Sequence, residues 1–337
     1  MPPSPIHPAH VQAATAYHAQ YQGRRLLIRH QNQLICDHSS LNTATDLPLP
    51  IASGTKSLAG ILAVTALADG FLHLDEPVAH TLTEWTNHPL KSSITTRHLL
   101  QLTSGLSHTG KAGHTPDSHT ALHTEPAAQP NQRFLYNSTP FQAFVEFARR
   151  KLAVVCPDPL DYLYGRVFDP LGLQPGRWRR TSDGWPDFSS GLSIAAQEWA
   201  KLGEWIRQDG QWEHREIIPA HCLQECFTGS DQNPAYGLGW WLNTPLPQSS
   251  KIHLKQSTLG LEDLHSEPAV PSDLVYAAGA GKQRLYISRE HELVIVRQAD
   301  GIPEALASGE RSPFSDREFF RILLTGRPAF EPLSTNI

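Results

Sequence analysis

Hydrophobic residues gather in short runs at the two ends of this chain and at helical spacing through its middle. Near the start, Leu and Ile concentrate in residues 24–30 and 33–36 on either side of the polar pair Gln31 and Asn32, a pattern that predicts a β-hairpin. A second hairpin is predicted near the other end, where 284–288 and 292–296 flank the turn Arg289, Glu290 and His291, with 275–278 as a further strand before it. A final helix is expected over 316–324: Ser315 can cap it, its first turn is acidic, and Phe319, Phe320 and Leu323 form one apolar face. Between the ends the spacing predicts helices at 57–69 stopping at Gly70, 97–103 stopping near Gly105, 139–152, 160–168, and 195–208 stopping near Gly210.

This order implies an α/β (α+β) fold in which strands from both chain ends form one antiparallel sheet flanked by helices, with a mostly helical region inserted. The boundaries expected are 1–74 with 190–337 for the sheet domain and 75–189 for the helical domain, with an active-site cleft between them. Segments 107–132 and 244–271, rich in Ser, Thr, Pro, Gly and His, read as long surface loops. No internal repeat is visible.

Composition narrows the class of partner. The 337 residues are 39% hydrophobic and 18% charged with a formal charge of -5, so there is no basic excess of the kind nucleic acid or an anionic membrane would favour. The opening MPPSPIHPAH has no basic stretch followed by an apolar run, and no segment approaches the roughly 20 apolar residues needed to span a bilayer. A cytoplasmic location is therefore the default expectation, with export left open. Cys36, Cys156, Cys222 and Cys226 suggest neither a disulfide framework nor a zinc site and are expected to be buried free thiols. Oligomeric state is not legible.

The chemistry starts at Ser53, Gly54, Thr55 and Lys56, where a Ser-x-x-Lys opens an apolar helix. A three-residue step on a helical turn brings both side chains to one face. At the first turn of a helix, unsatisfied N–H groups favour a developing alkoxide by roughly 0.3 to 2 kcal/mol. That does not suffice by itself. A lysine at its reference pKa of about 10.4 is a poor base at neutral pH, and bringing it to about 7.4 needs ~4 kcal/mol of desolvation and neighbouring positive charge. Two fixed residues also occur by chance, and the bland reading is a capping serine followed by a solvated lysine.

Context favours the catalytic reading. The run SGTKSLAGILAVTALADGFLHLDEPVAHTL followed by ITTRHLLQLTSGL resembles the nucleophile helix and following segments of the serine β-lactamase, esterase and D-alanyl-D-alanine carboxypeptidase superfamily, especially its class C-like branch. Arg133 to Ser138, reading RFLYNS, resembles the family's Tyr-x-Asn or Tyr-x-Ser motif and contributes Tyr136; the bland alternative is a buried aromatic ahead of a helix that Asn137 or Ser138 caps. FDPLGL at 168–173 and AYGLGWWL at 235–242 resemble structural phrases of the family, with Trp240 and Trp241 either core packing or an apolar wall of the substrate pocket.

The third family motif, Lys-Thr-Gly or His-x-Gly, is altered. At its place stand Ala277, Ala278 and Gly279, then Ala280, Gly281, Lys282 and Gln283, so no cation leads the triplet. The resemblance then implies neutral esters or amides more than penicillins or D-alanyl-D-alanine. Small residues here suit a strand whose backbone lies close to substrate. The backbone N–H groups of Ser53 and Ala280 are the expected oxyanion hole, where losing one donor costs ~3 kcal/mol. Lys282 is expected to face solvent.

The implied function is a cofactor-free serine hydrolase working through an acyl-enzyme on small-molecule esters or amides. Ser53 is the nucleophile, Lys56 and Tyr136 handle the proton as one coupled unit, and Asn137, Ser138, Gly279 and Trp240 contact substrate. Two alternatives stay open: a β-lactamase or penicillin-sensitive peptidase taking a lactam, and a binding protein that kept the fold without turnover. No metal is expected, since His108, His114, His119 and His123 lack a helical or zinc-finger spacing and read as a solvated loop. Gly279 to Lys282 lacks the frame of a phosphate loop, and Gly-x-Ser-x-Gly is absent.

Overall fold

Strands β1 (Gly23–His30) and β2 (Gln33–Ser39) form the predicted first hairpin, turning at Gln31 and Asn32 with φ of 50° and 62°. Paired positive φ values of this kind match the right-handed twist of the arms. Two small ladders come next in the chain: β3 (Leu49–Pro50) pairs with β4 (Ser193–Ile194), and β5 (Gln211–Trp212) with β6 (Arg215–Glu216). The main sheet is completed by β7 (Trp241–Leu242), β8 (Val275–Gly279), β9 (Gln283–Ser288) and β10 (Leu293–Ala299). Its order is β2-β1-β10-β9-β8-β7 with every pair antiparallel, so the two chain ends meet at β1 and β10, where Leu27 faces Val296. The computed structural model describes residues 4–40, 43–109, 114–248, 259–308 and 312–328; positions 110–113 and 249–258 of the two predicted loops lie outside the described residues.

The period-two alternation of β9 divides the two faces of the sheet. Leu285 and Ile287 point to α7 (Ala196–Arg207), where a Cβ on Gly203 would come within 2.7 Å of Val294 and 2.9 Å of Leu285. On the other face, Tyr286 meets Phe320 of α10 (Asp316–Thr325) edge-on at 5.0 Å, and α1 (Pro8–Gln20) packs beside α10. Helix α2 (Lys56–Ala68) is buried continuously from Lys56 to Ala66, as expected of a helix apolar all round. Among the described residues the other α-helices are α3 (Thr96–Leu100), α4 (Ser118–His123), α5 (Thr139–Leu152), α6 (Pro159–Leu163), α8 (Ala220–Gln224) and α9 (Ile302–Ser308).

Several expectations are corrected. Helix α1 has no apolar stripe to announce it and is anchored through buried Ala14 and His18. The predicted 97–103 helix stops at Leu100, because Leu102 and Gly105 take φ of 60° and 79°. The predicted 160–168 helix changes at Tyr164 into a wider π-type turn. Segment 107–132 is not simply a surface loop: it contains α4 and the buried residues Thr115, Ser118, Ala121 and Leu122. Of the four free thiols, Cys222 and Cys226 are buried but Cys36 and Cys156 only partly so. Lys282 does not face solvent; it is 3% exposed, and its ammonium donates at 2.6 Å to both Glu262 and Asp316.

Candidate active site

Ser53 sits on a strained turn. The chain arrives along β3, bonds back through Ile51 N–H to the Leu192 carbonyl at 3.1 Å, and turns at Ala52, a non-glycine residue with φ of 46°. A short 3-10 turn, Ala52–Thr55, then leads directly into α2. Thr55 holds this geometry from inside, donating its hydroxyl to the Ala52 carbonyl at 2.7 Å and accepting from Leu192 N–H at 3.2 Å. On the far side, a Cβ on Gly60 would lie 2.0 Å from the Leu238 carbonyl oxygen and one on Gly239 2.3 Å from that of Lys56. Only glycine allows α2 to approach the 237–239 segment this closely.

Lys56 lies one turn on. Its Nζ is 3.4 Å from Ser53 Oγ, donates to the Ser189 carbonyl at 2.9 Å, and stands 5.2 Å from the ring centroid of Tyr136 and 5.4 Å from that of Phe141. With the residue 2% exposed, desolvation pushes the ammonium pKa down to about 8, against a smaller upward pull from Asp187. The sequence could not supply that second partner. Asp187, 1% exposed, accepts from Ser189 N–H at 2.9 Å, Ser190 N–H at 3.0 Å, the Thr115 hydroxyl at 3.0 Å and Arg179 Nη2 at 2.6 Å. Burial alone would raise its pKa, but Arg179 and the Ser189 bonds outweigh it and hold the carboxylate below its usual range. This carboxylate organises the loop whose Ser189 carbonyl receives the lysine. Asp187 followed by serines two and three positions later has the spacing of a side chain bonding its own backbone turn, but nothing in that spacing points to Lys56.

The second segment brings Tyr136 to the same place. Its ring packs against Trp241 at 5.8 Å and Tyr236 at 6.1 Å between centroids. The hydroxyl is buried without a fully formed hydrogen bond, yet it is near enough to Ser53 for that hydroxyl to lower its pKa. Burial dominates and holds the phenol well above its ordinary value, with the Arg284 charge giving slight relief. A neutral phenol is therefore favoured beside Lys56. Asn137 spends its amide on backbone, donating at 3.1 Å to the carbonyls of both Leu106 and Leu135 and accepting at 2.9 Å from Thr139 N–H at the start of α5.

These groups share a cavity of about 320 Å³ whose lining is predominantly apolar. Ser53, Lys56, Tyr136, Asn137 and Ser138 all contribute to it, together with Pro50, Ala52, Arg179 and Ser190, which sequence reasoning passed over, and His108, read earlier as part of a solvated loop. Gly279 stands at the end of β8, where a Cβ would lie 2.0 Å from the Ile51 carbonyl oxygen, and Ala280 packs on Ala52. Trp240 is not part of the lining; it is fully buried with its ring 5.6 Å from that of Phe227, and its neighbour Trp241 is the one behind Tyr136.

The model of the family described as Beta-lactamase matches residues 11–301. Among solved structures, the hydrolase EstCE1, described as having promiscuous acyltransferase activity, superposes with a TM-score of 0.68 at 15% identity over 93% of this chain and 98% of its own. A penicillin-binding protein homologue from Caulobacter crescentus gives 0.68 at 13% identity, covering 89% and 94%. A 6-aminohexanoate-dimer hydrolase homologue from Bacillus anthracis gives 0.66 at 13% identity, covering 88% and 79%. At these identities the likeness is one of fold. No curated protein matches the chain.

Proposed function

Because this chain belongs to the Beta-lactamase family of serine hydrolases, we propose that it hydrolyses small esters or amides through an acyl-enzyme on Ser53. The observation that carries this reading is a largely desolvated lysine amine 3.4 Å from the serine hydroxyl, on the wall of one cavity. Lys56, with its pKa lowered to about 8, is neutral often enough near neutral pH to take the Ser53 proton as Oγ attacks the carbonyl. The leaving group takes the proton that Lys56 removed from Ser53, relayed through the Tyr136 phenol, so that Lys56 is again a free amine and Tyr136 again a neutral phenol before the acyl-enzyme is hydrolysed. The amides of Ser53 and Ala280 are our candidates for the oxyanion hole, supported by the packing of Ala280 on Ala52 beside the serine. Water then attacks the acyl-enzyme with Lys56 again as base. Ser138 lines the path of substrate in this reading and Asn137 positions Tyr136, while Gly279 stands outside the cavity lining and holds the end of β8 against the nucleophile turn.

We place the sheet-bearing part at 1–74 and 190–337 and the helical part at 75–189. The cavity then draws Ser53, Lys56 and Leu306 from the first and His108, Tyr136 and Arg179 from the second. The test is to treat the protein and Ser53→Ala with a fluorophosphonate probe, a short nitrophenyl ester and a chromogenic cephalosporin. Labelling and ester turnover that vanish in Ser53→Ala are expected. Cephalosporin turnover would shift the reading to a lactamase, and no reaction with any of the three would leave a binding protein.

A further inference from the structure

A small apolar cluster stands apart from the main core: Ala52, Ala280 and Ala305, with Ile302 and Leu306 packed on it. Its members come from the nucleophile turn, the turn after β8, and α9. Helix α9 is amphipathic on its own scale, turning Ile302, Ala305 and Leu306 inward at the i, i+3, i+4 spacing and leaving Pro303, Glu304 and Ala307 exposed. Its start is pinned by backbone contact, since a Cβ on Gly281 would lie 2.9 Å from Ile302 N and 3.0 Å from the Gly301 carbonyl carbon. Ile302 and Leu306 line the cavity together with Pro50 and Ala52, forming an apolar strip beside Ser53.

Resting on the hydrolase reading above, we propose that α9 is the specificity wall of the site, with Ile302 and Leu306 seating a linear aliphatic acyl chain and setting its length. A leaving group must receive a proton, and so belongs on the side of Lys56 and Tyr136, where Ser138 and Asn137 supply polar lining. That leaves the apolar strip of Pro50, Ala52, Ile302 and Leu306 for the acyl chain. The alanines beneath the strip are small, so the two larger side chains above them decide how far a chain can reach. Burying each methylene there gains roughly fourfold in affinity until the strip is filled.

The test uses N-methyl amides of linear acids from two to eight carbons, titrated calorimetrically into Ser53→Ala and into Ser53→Ala carrying Leu306→Ala or Leu306→Phe. The same Leu306 substitutions in the otherwise unaltered protein are assayed for kcat/KM on nitrophenyl esters of equal chain lengths. Affinity and kcat/KM should plateau at longer chains in Leu306→Ala and at shorter ones in Leu306→Phe; general loosening cannot produce shifts in opposite directions. Identical chain-length profiles in all three proteins would overturn the proposal. Shifted binding without Ser53-dependent turnover would instead refute the hydrolase reading and keep the wall, whereas turnover with unshifted profiles would do the reverse.

Discussion

An ammonium taken out of water without a carboxylate bonded to it carries a large desolvation cost, and Lys56 meets a hydroxyl and a carbonyl oxygen rather than an acid. Its pKa falls from 10.5 to about 8 as a result. If the neutral amine is the base, kcat/KM for a neutral ester should climb with pH and level off above about 8, and a pH-rate profile checks this. The sign for stability follows from the same shift. Below about 8 the folded state bears the full cost of the buried charge, and between about 8 and 10.5 the unfolded chain holds more protons, so stability rises with pH across that window. Lys56→Met should therefore be inactive yet more stable at pH 7 by about 2 kcal/mol, after about 1 kcal/mol is lost with the Ser189 bond. Denaturant titrations at pH 7 and pH 10 should find that advantage shrinking at the higher pH.

At the scale of elements, the site depends on how closely β8 approaches the nucleophile turn. A methyl on Gly279 would stand 2.0 Å from the Ile51 carbonyl oxygen and 3.2 Å from Gln283 Cβ, so the end of the strand would have to retreat. Overpacking of this kind costs about 1 to 3 kcal/mol, and moving an oxyanion donor costs about a hundredfold in rate. Gly279→Ala should accordingly lose ~100-fold in kcat on a nitrophenyl ester, with a modest fall in Tm. Gly70 provides the contrast, having φ of 77° but nothing within 4 Å of an added Cβ. Gly70→Ala should cost only about 1 kcal/mol of backbone strain and leave kcat unchanged. Equal kcat losses in the two variants would show that β8 matters for stability rather than for catalysis.

Across the whole molecule, Asp316 ties the last helix to the sheet and to the turn beside the site. Its carboxylate, 2% exposed, accepts from Lys282 at 2.6 Å and Arg284 at 3.2 Å and also from the Tyr286 hydroxyl, while Arg284 donates to the Gly279 carbonyl at 3.0 Å. Burial opposes ionisation here, but the two cations prevail and keep the Asp316 pKa well below its ordinary value of 3.8. The stability it contributes is complete above about pH 4 and drains away as pH falls through the lowered folded value. Asp316→Asn, which leaves buried Arg284 without a carboxylate while Lys282 keeps Glu262, should cost about 3 to 5 kcal/mol near pH 7 and flatten the acid limb of the stability curve. Chemical denaturation between pH 2 and pH 7 measures both effects.

The strand pairs of both hairpins, the capped last helix and the extent of α5 were legible because each depends on local alternation, turn residues or an end cap. The Ser53 and Lys56 pairing was legible for the same reason, since a three-residue step on a helical turn is itself local. Helix α1 was not, because its packing against α10 at the far end of the chain, rather than a stripe of its own, keeps it in place. Nor were the burial of Lys282, the substitution of Trp241 for Trp240 behind Tyr136, or the loop organised by Asp187. Each rests on contacts between segments far apart in sequence, whose direction no periodicity records. The chain alone set which residues could react; desolvation and the meeting of distant turns decided which of them share a cavity and at what pKa.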